Sequence, residues 1–229
     1  GSLTAAGELA IIPKIADLGC DTYWMDAYWY PQPWDSNLGN WYPREEDFPD
    51  GLRPLSDASH DYGMKFVLWF LPPGVNSGTM FAKKYPQYIH GGEADNGGLW
   101  KMCDPEAREF LTQWLCDHIQ EWGVDIYRED GSGMPPEEGP DDRQGIAEMK
   151  HVEGMLGFWN DVLERNPGLL MDNCCGGGNR INFETAEQAF FLWRSDLNDI
   201  GEGLRGKTYW PVMGTADQVM VTGLSLYVP

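Results

Sequence analysis

Short runs of aliphatic, aromatic and β-branched residues alternate along this chain with longer stretches whose apolar positions recur at helical spacing. Leu9, Ile12, Ile15 and Ala16 share one face of a helix predicted over residues 3–18, with Gly19 placed as its C-terminal stop. Residues 22–29 read as a strand that runs into a loop over 30–49, rich in Pro and Trp. A helix over 52–62 is closed by Gly63. The unbroken apolar run 64–71 then suits a strand buried on both faces, stopped at Pro72-Pro73-Gly74. Asp104-Pro105-Glu106 has the signature of a capped helix start, and that helix should reach Trp122 and end at Gly123. Strand 124–130, helix 145–164, strand 169–173, a short helix near 184–188, strand 189–194 and a last strand over 223–228 complete the pattern.

Repeated strand, polar loop and helix imply a parallel sheet, either doubly wound or closed into a (β/α)8 TIM barrel. The barrel is favoured because no G-x-G-x-x-G or G-x-x-x-x-G-K-[ST] loop follows a strand, and because Asp26, Asp130, Asp172 and Asp196 stand at C-terminal strand ends, where barrel active sites form. Roughly six strands with a helix before the first would leave an eight-stranded barrel without its first strand and its last strand and helix. The expectation is one barrel domain over 1–229, either whole or short of those elements, with Gly1-Ser2 as an expression scar. A second copy could supply missing strands, so a homo-oligomer belongs among the expected partners.

Composition narrows the function. Sixteen Lys and Arg against 36 Asp and Glu give a net charge of −20, which repels nucleic-acid backbones and anionic lipid surfaces. No apolar run approaches the roughly 18 residues of a membrane span, and no signal peptide opens the chain, so the compartment stays open. Eleven Trp, ten Tyr and nine Phe fit a neutral, polyhydroxylated ligand stacked on rings as well as they fit a core. Five cysteines lack framework spacing and no His pair has metal-ligand spacing, so neither disulfides, a metal nor a cofactor is expected. Cys174-Cys175 could be a reactive thiol, but no His/Asn arrangement supports a nucleophile, and pocket lining is the better reading.

Strand-end carboxylates suffice for glycoside hydrolysis, which needs one as nucleophile or base and a second as acid; a separation of about 5 to 5.5 Å marks retention. Ordered blocks then carry a family likeness: Trp24-Met25-Asp26-Ala27-Tyr28-Trp29-Tyr30, Asn40-Trp41, Phe48 to Leu55, His60 to Trp69, Tyr127-Arg128-Glu129-Asp130, Asp172 to Arg180, and Trp193-Arg194-Ser195-Asp196-Leu197-Asn198-Asp199. Over roughly residues 5–229 the chain resembles the α-galactosidases of glycoside hydrolase family 36, retaining enzymes built on a (β/α)8 barrel. The resemblance implies Asp130 as nucleophile and Asp196 as general acid/base, with Asp199 able to hold the proton on Asp196. It implies sugar contacts from Asp26 and Arg128, and a pocket around the 2-position lined by Asn173, Cys174, Gly177 and Arg180. Trp29, Trp34, Trp41 and Trp69 cluster at strand ends or in the loops that follow, where stacking on a sugar face and packing in the core are equally open, and Trp193 is a further substrate-binding candidate.

Departures from the family pattern also count. Ala27 stands where a second Asp is usual, Leu71-Pro72-Pro73 replaces Glu-Pro-Glu, Arg128 replaces Lys and Glu129 replaces Trp. By strand alternation Glu129 should point away from Asp130. The expected activity is hydrolysis of terminal α-linked galactose-type sugars. The alternatives are an α-N-acetylgalactosaminidase, galactosaminidase or other α-glycosidase, or a carbohydrate-binding barrel without catalysis.

Overall fold

The computed structural model describes residues 3–93, 95–131, 133–136 and 145–193. Helix α1 (Ala5–Asp17) leads into strand β1 (Thr22–Met25), α2 (Arg53–Asp61) into β2 (Lys65–Phe70), α4 (Pro105–Trp122) into β5 (Ile126–Glu129), α5 (Ile146–Arg165) into β6 (Leu170–Asn173), and α6 (Cys175–Gly178) with α7 (Phe183–Gln188) into β7 (Phe191–Leu192). Between β2 and α4 lie β3 (Gly74–Val75), α3 (Met80–Lys84) and β4 (Gly98–Leu99). β3 and β4 pair antiparallel as a separate two-stranded sheet.

The main sheet has the order β1-β2-β5-β6-β7, and its four pairings are parallel. Apart from the inserted hairpin, each strand lies beside the next one in the chain. Winding without reversal is the rule of a (β/α)8 barrel, whereas an open doubly wound sheet reverses at a switch point. The predicted strand over 223–228 lies outside the described residues.

Local chemistry accounts for the helices. Asp104 accepts hydrogen bonds from the amides of Glu106 (2.9 Å) and Ala107 (3.3 Å), Pro105 occupies the first turn, and Gly123 stops α4 in the left-handed region at φ 66°. The buried positions of α5, namely His151, Gly154, Met155, Phe158, Trp159 and Val162, form one stripe at three- and four-residue spacing. Gly154 is where α5 crosses the 102–103 segment, and a Cβ there would lie 2.2 Å from the Met102 carbonyl oxygen.

The sheet has two faces because successive side chains alternate and parallel partners share a face. Phe66, Leu68, Phe70, Tyr127, Glu129, Met171 and Asn173 lie on the helix side, where Phe70 stacks on Trp122 of α4 at 6.3 Å. Trp24, Val67, Trp69, Arg128 and Asp172 share the other face.

Several boundaries differ from expectation. β1 stops at Met25 instead of continuing to Trp29, because Asp26 turns the chain: its Oδ1 accepts from the Ala27 amide at 2.9 Å and its carbonyl from the Tyr28 amide at 2.7 Å. β7 is two residues long, shorter than the 189–194 run, and the β3–β4 hairpin was not foreseen.

Gly154→Ala should destabilise the fold by about 2 kcal/mol or more, since backbone has to move to admit the methyl. A urea unfolding curve with an unchanged midpoint would contradict this packing.

Candidate active site

The C-terminal ends of β1, β2, β5 and β6 bring Asp26, Trp69, Arg128, Asp130 and Asp172 together. At the centre is Arg128, only 4% exposed. Its Nη1 donates to Asp172 Oδ1 at 2.6 Å, and its Nε forms an ion pair with Asp26 Oδ2 at 3.5 Å. The guanidinium lies 4.8 Å from the ring centroids of both Trp24 and Trp193. The two indoles are tilted 57° to each other, and a broad delocalised cation can lie against both while its Nη1 and Nε reach Asp172 and Asp26, a reach that a single ammonium lacks. Burial opposes its charge, and Asp172, Cys174, Asp26 and Asp130 outweigh burial, so its pKa is raised.

Asp130 follows the last residue of β5. Its Oδ1 accepts from the amides of Gly131 (2.7 Å) and Gly176 (2.9 Å), and its Oδ2 from Trp69 Nε1 at 3.3 Å. All three partners are donors, a set that matches an ionised carboxylate, which can only accept. Asp26 is half exposed and accepts from Trp24 Nε1 at 3.1 Å.

Glu129 projects to the helix side, as alternation requires. It is fully buried, accepts from the Tyr127 hydroxyl and lies 3.6 Å from Arg180 Nη1. Burial, then the pull of Arg180 against the push of Asp130, leaves its pKa pushed up to about 8. Arg180 itself stacks over Trp159 at 5.1 Å. Its side chain also lines a cavity of about 370 Å³ with Leu71, Val75, Leu99, Gly131 and Met134, beside the Asp130 loop.

The expected site residues therefore divide. Asp26, Trp69, Arg128, Asp130 and Trp193 come together. Cys174 is buried, and its amide donates to the Glu129 carbonyl at 2.9 Å. Asn173 is buried opposite Glu129 in register, on the helix side, and Gly177 lies within α6. Trp29 and Trp41 depart from the expectation of a stacking surface. At 0% and 1% exposure they pack among Tyr30, Trp69, Phe70 and Trp122, with Trp29 Nε1 donating to the Trp69 carbonyl at 2.9 Å, so burial removes their faces from any ligand; Trp69, at 2% exposure against Tyr30, Trp34 and Trp41, likewise offers no stacking face and meets the site through its Nε1. Asp196 and Asp199 lie outside the described residues. Sequence reasoning missed Trp24 and the Gly176 amide, and it noted Asp172 only as a strand-end Asp; the Arg-for-Lys exchange was the signal that planar partners waited nearby. Among the described residues no cluster of His, Cys, Asp and Glu could hold a metal ion, and no helix is long and apolar enough to cross a membrane.

Comparison with known proteins decides the family. Residues 6–211 match the melibiase family. The chain belongs to the melibiase family. This melibiase-family chain is 28% identical over 207 residues to alpha-galactosidase Mel36A of Lactobacillus acidophilus, covering 85% of itself and 28% of that protein. It is 27% identical over 210 residues to an alpha-galactosidase of Escherichia coli, covering 86% of itself and 29% of the relative. Its fold matches a variant of the GH36 alpha-galactosidase AgaA from Geobacillus stearothermophilus crystallised with raffinose, at a TM-score of 0.75 and 20% identity, over 85% of this chain and 29% of that one. The chain thus spans under a third of the length of these relatives, within their barrel fold.

Two predictions follow from the buried charges. Arg128→Ala leaves Asp172 buried without its cation and should cost about 3 to 5 kcal/mol in urea unfolding; a loss under 1 kcal/mol would contradict the pairing. Glu129 holds its proton more tightly folded than unfolded, so the stability it contributes is present at low pH and declines as pH rises from the ordinary carboxylate range to about 8. Glu129→Gln should gain Tm relative to the unsubstituted protein between pH 5 and pH 9; a constant Tm difference would refute that sign.

Proposed function

We propose that this melibiase-family chain is the catalytic barrel, over 1–229, of a retaining α-glycosidase acting on terminal α-linked galactose-type residues. The observation that carries the reading is Asp130: a strand-end carboxylate beside a buried cation, with an acceptor-only hydrogen-bond set. Its relatives named alpha-galactosidase, and a fold neighbour crystallised with raffinose, support a carbohydrate substrate.

In this reading Asp130 attacks the anomeric carbon and forms a glycosyl ester while Asp196 protonates the departing oxygen. Asp196 then takes a proton from water, which cleaves the ester with net retention. Oδ2 is the attacking oxygen, because Oδ1 already takes two amide bonds and Oδ2 only the longer indole bond. Arg128 holds Asp172 and Asp26 in place at the site, while the Asp130 carboxylate faces the positive charge that develops on the sugar in an oxocarbenium-like transition state. Asp26, exposed at the rim, offers the acceptor for a sugar hydroxyl. Cys174, Gly177 and Asp199 are assigned supporting places around the glycone by the family likeness, with Trp69 orienting Asp130 and Trp193 flanking Arg128, whereas Asn173 and Arg180 lie on the helix side of the strand end.

One observation favours a second glycone. Ala27, buried in place of a second Asp, cannot accept a hydroxyl proton. N-acetylgalactosaminides and other α-glycosides therefore belong beside galactosides in the assay. Aryl α-galactoside, α-N-acetylgalactosaminide and α-glucoside are offered in turn, and the first-formed anomer is followed by NMR. Turnover of one sugar with α product first, lowered at least about a thousandfold in Asp130→Asn, is expected. First-formed β product, or an undiminished Asp130→Asn variant, would overturn the mechanism.

A further inference from the structure

Consecutive residues at the end of β5 face opposite ways, and one segment grips both. On the site face, the Gly176 amide donates to Asp130 Oδ1 at 2.9 Å. On the helix face, Arg180, four residues later, brings Nη1 to 3.6 Å from Glu129 Oε1. The segment 175–180 thus straddles the strand end. Immediately before it the Cys174 amide donates to the Glu129 carbonyl, and the segment is closed on itself by Asn179 Nδ2 donating to the Cys175 carbonyl at 2.9 Å.

The straddle holds an unfavourable backbone. Cys175 adopts φ 55°, in the left-handed region where a side chain is disfavoured, and such a residue persists only where its surroundings over-determine it. Arg180 is well placed for this. Its guanidinium is pinned between Glu129 and the Trp159 indole of α5, so the far end of the segment is fixed to the barrel wall rather than to solvent.

We propose that Glu129 and Arg180 form a strut that sets the Gly176 amide against Asp130, making both of them positioning residues for the nucleophile. The proposal rests on Asp130 being that nucleophile. It gives a role to a carboxylate whose side chain faces away from the sugar, and it explains how Glu can stand where the family pattern has Trp: either residue can hold a guanidinium, the one by charge and the other by its ring face.

The groups that act on Glu129 are Tyr127 of its own strand, Asp130 from the opposite face just beyond the strand end, Cys175 and Arg180 of the straddling segment, and Trp159 of α5. His151 of α5 faces Arg180 and is kept neutral, its pKa pushed down to about 4 by burial and then by Arg180 and His90. With Glu129 pushed up to about 8, the strut is a guanidinium on a carboxylic acid near neutrality, and gains its full ionic character above that pH.

Gly131 supplies an internal reference, because its amide donates to the same Asp130 oxygen but belongs to the chain following β5. Amide exchange of Gly176 and Gly131 is measured by NMR on the full chain labelled with 15N-glycine. Arg180→Met should speed Gly176 exchange at least tenfold relative to Gly131, and the milder Arg180→Lys should fall between the two. In the unsubstituted protein the protection of Gly176 relative to Gly131 should grow between pH 7 and pH 9, and in Glu129→Gln it should stay flat. Unchanged Gly176 exchange, a change that Gly131 shares, or the same pH dependence in Glu129→Gln would each overturn the strut. On an active substrate, Arg180→Met should lower kcat with KM little altered. Silence of the unsubstituted protein on every glycoside refutes the proposed function alone, because the amide readout needs no turnover.

Discussion

A guanidinium cannot be taken out of water at the end of a sheet unless its charge is matched there, since the uncompensated cost is several kcal/mol. Arg128 imposes this condition on everything around it. Asp172 has to stand beside it on β6, which the parallel register Arg128↔Asp172 provides, and Asp26 has to close the other side from β1. The rings of Trp24 and Trp193, themselves in contact at 5.9 Å, then cover the cation from one side. Strands from both ends of the described sheet are committed to one side chain, so the register of the sheet and the composition of the site are a single requirement.

From that arrangement the rest follows by alternation. If Arg128 faces the site, Glu129 must face the helices and Asp130 must return to the site. The strand end therefore presents a cation and a carboxylate to the ligand side and hides a second carboxylate behind them. Within a chain of net charge −20 the buried cation Arg128 and the partly buried Arg180 sit on the two sides of the same strand end. The surrounding field repels anions, while the local charge steadies carboxylates; the combination suits a neutral ligand handled by ionised groups.

Much of this was legible in the sequence where the controlling physics is local. Asp104-Pro105 and Gly123 bracket α4 because caps act within a turn, and the unbroken run of β2 announces burial on both faces. The strand-end positions of Asp26 and Asp130 follow from the same reading. What escaped depends on partners distant in the chain. The hairpin β3–β4 has two residues per strand, too few to carry a period. Trp29 and Trp41 look like any aromatic residues beside a site, and only the packing with Tyr30, Phe70 and Trp122 makes them core. The contact of Trp24 with Trp193 beside Arg128 joins residues 169 positions apart, beyond the reach of any spacing argument.

The central claim is that Asp130 bears the sugar during turnover. An α-galactose-configured inactivator that esterifies the nucleophile, followed by proteolysis and peptide mass spectrometry, tests it most directly. The account predicts one adduct, on the peptide containing Asp130, formed competitively with substrate. Stoichiometric labelling of another carboxylate, Asp26 or Asp172 included, would contradict it.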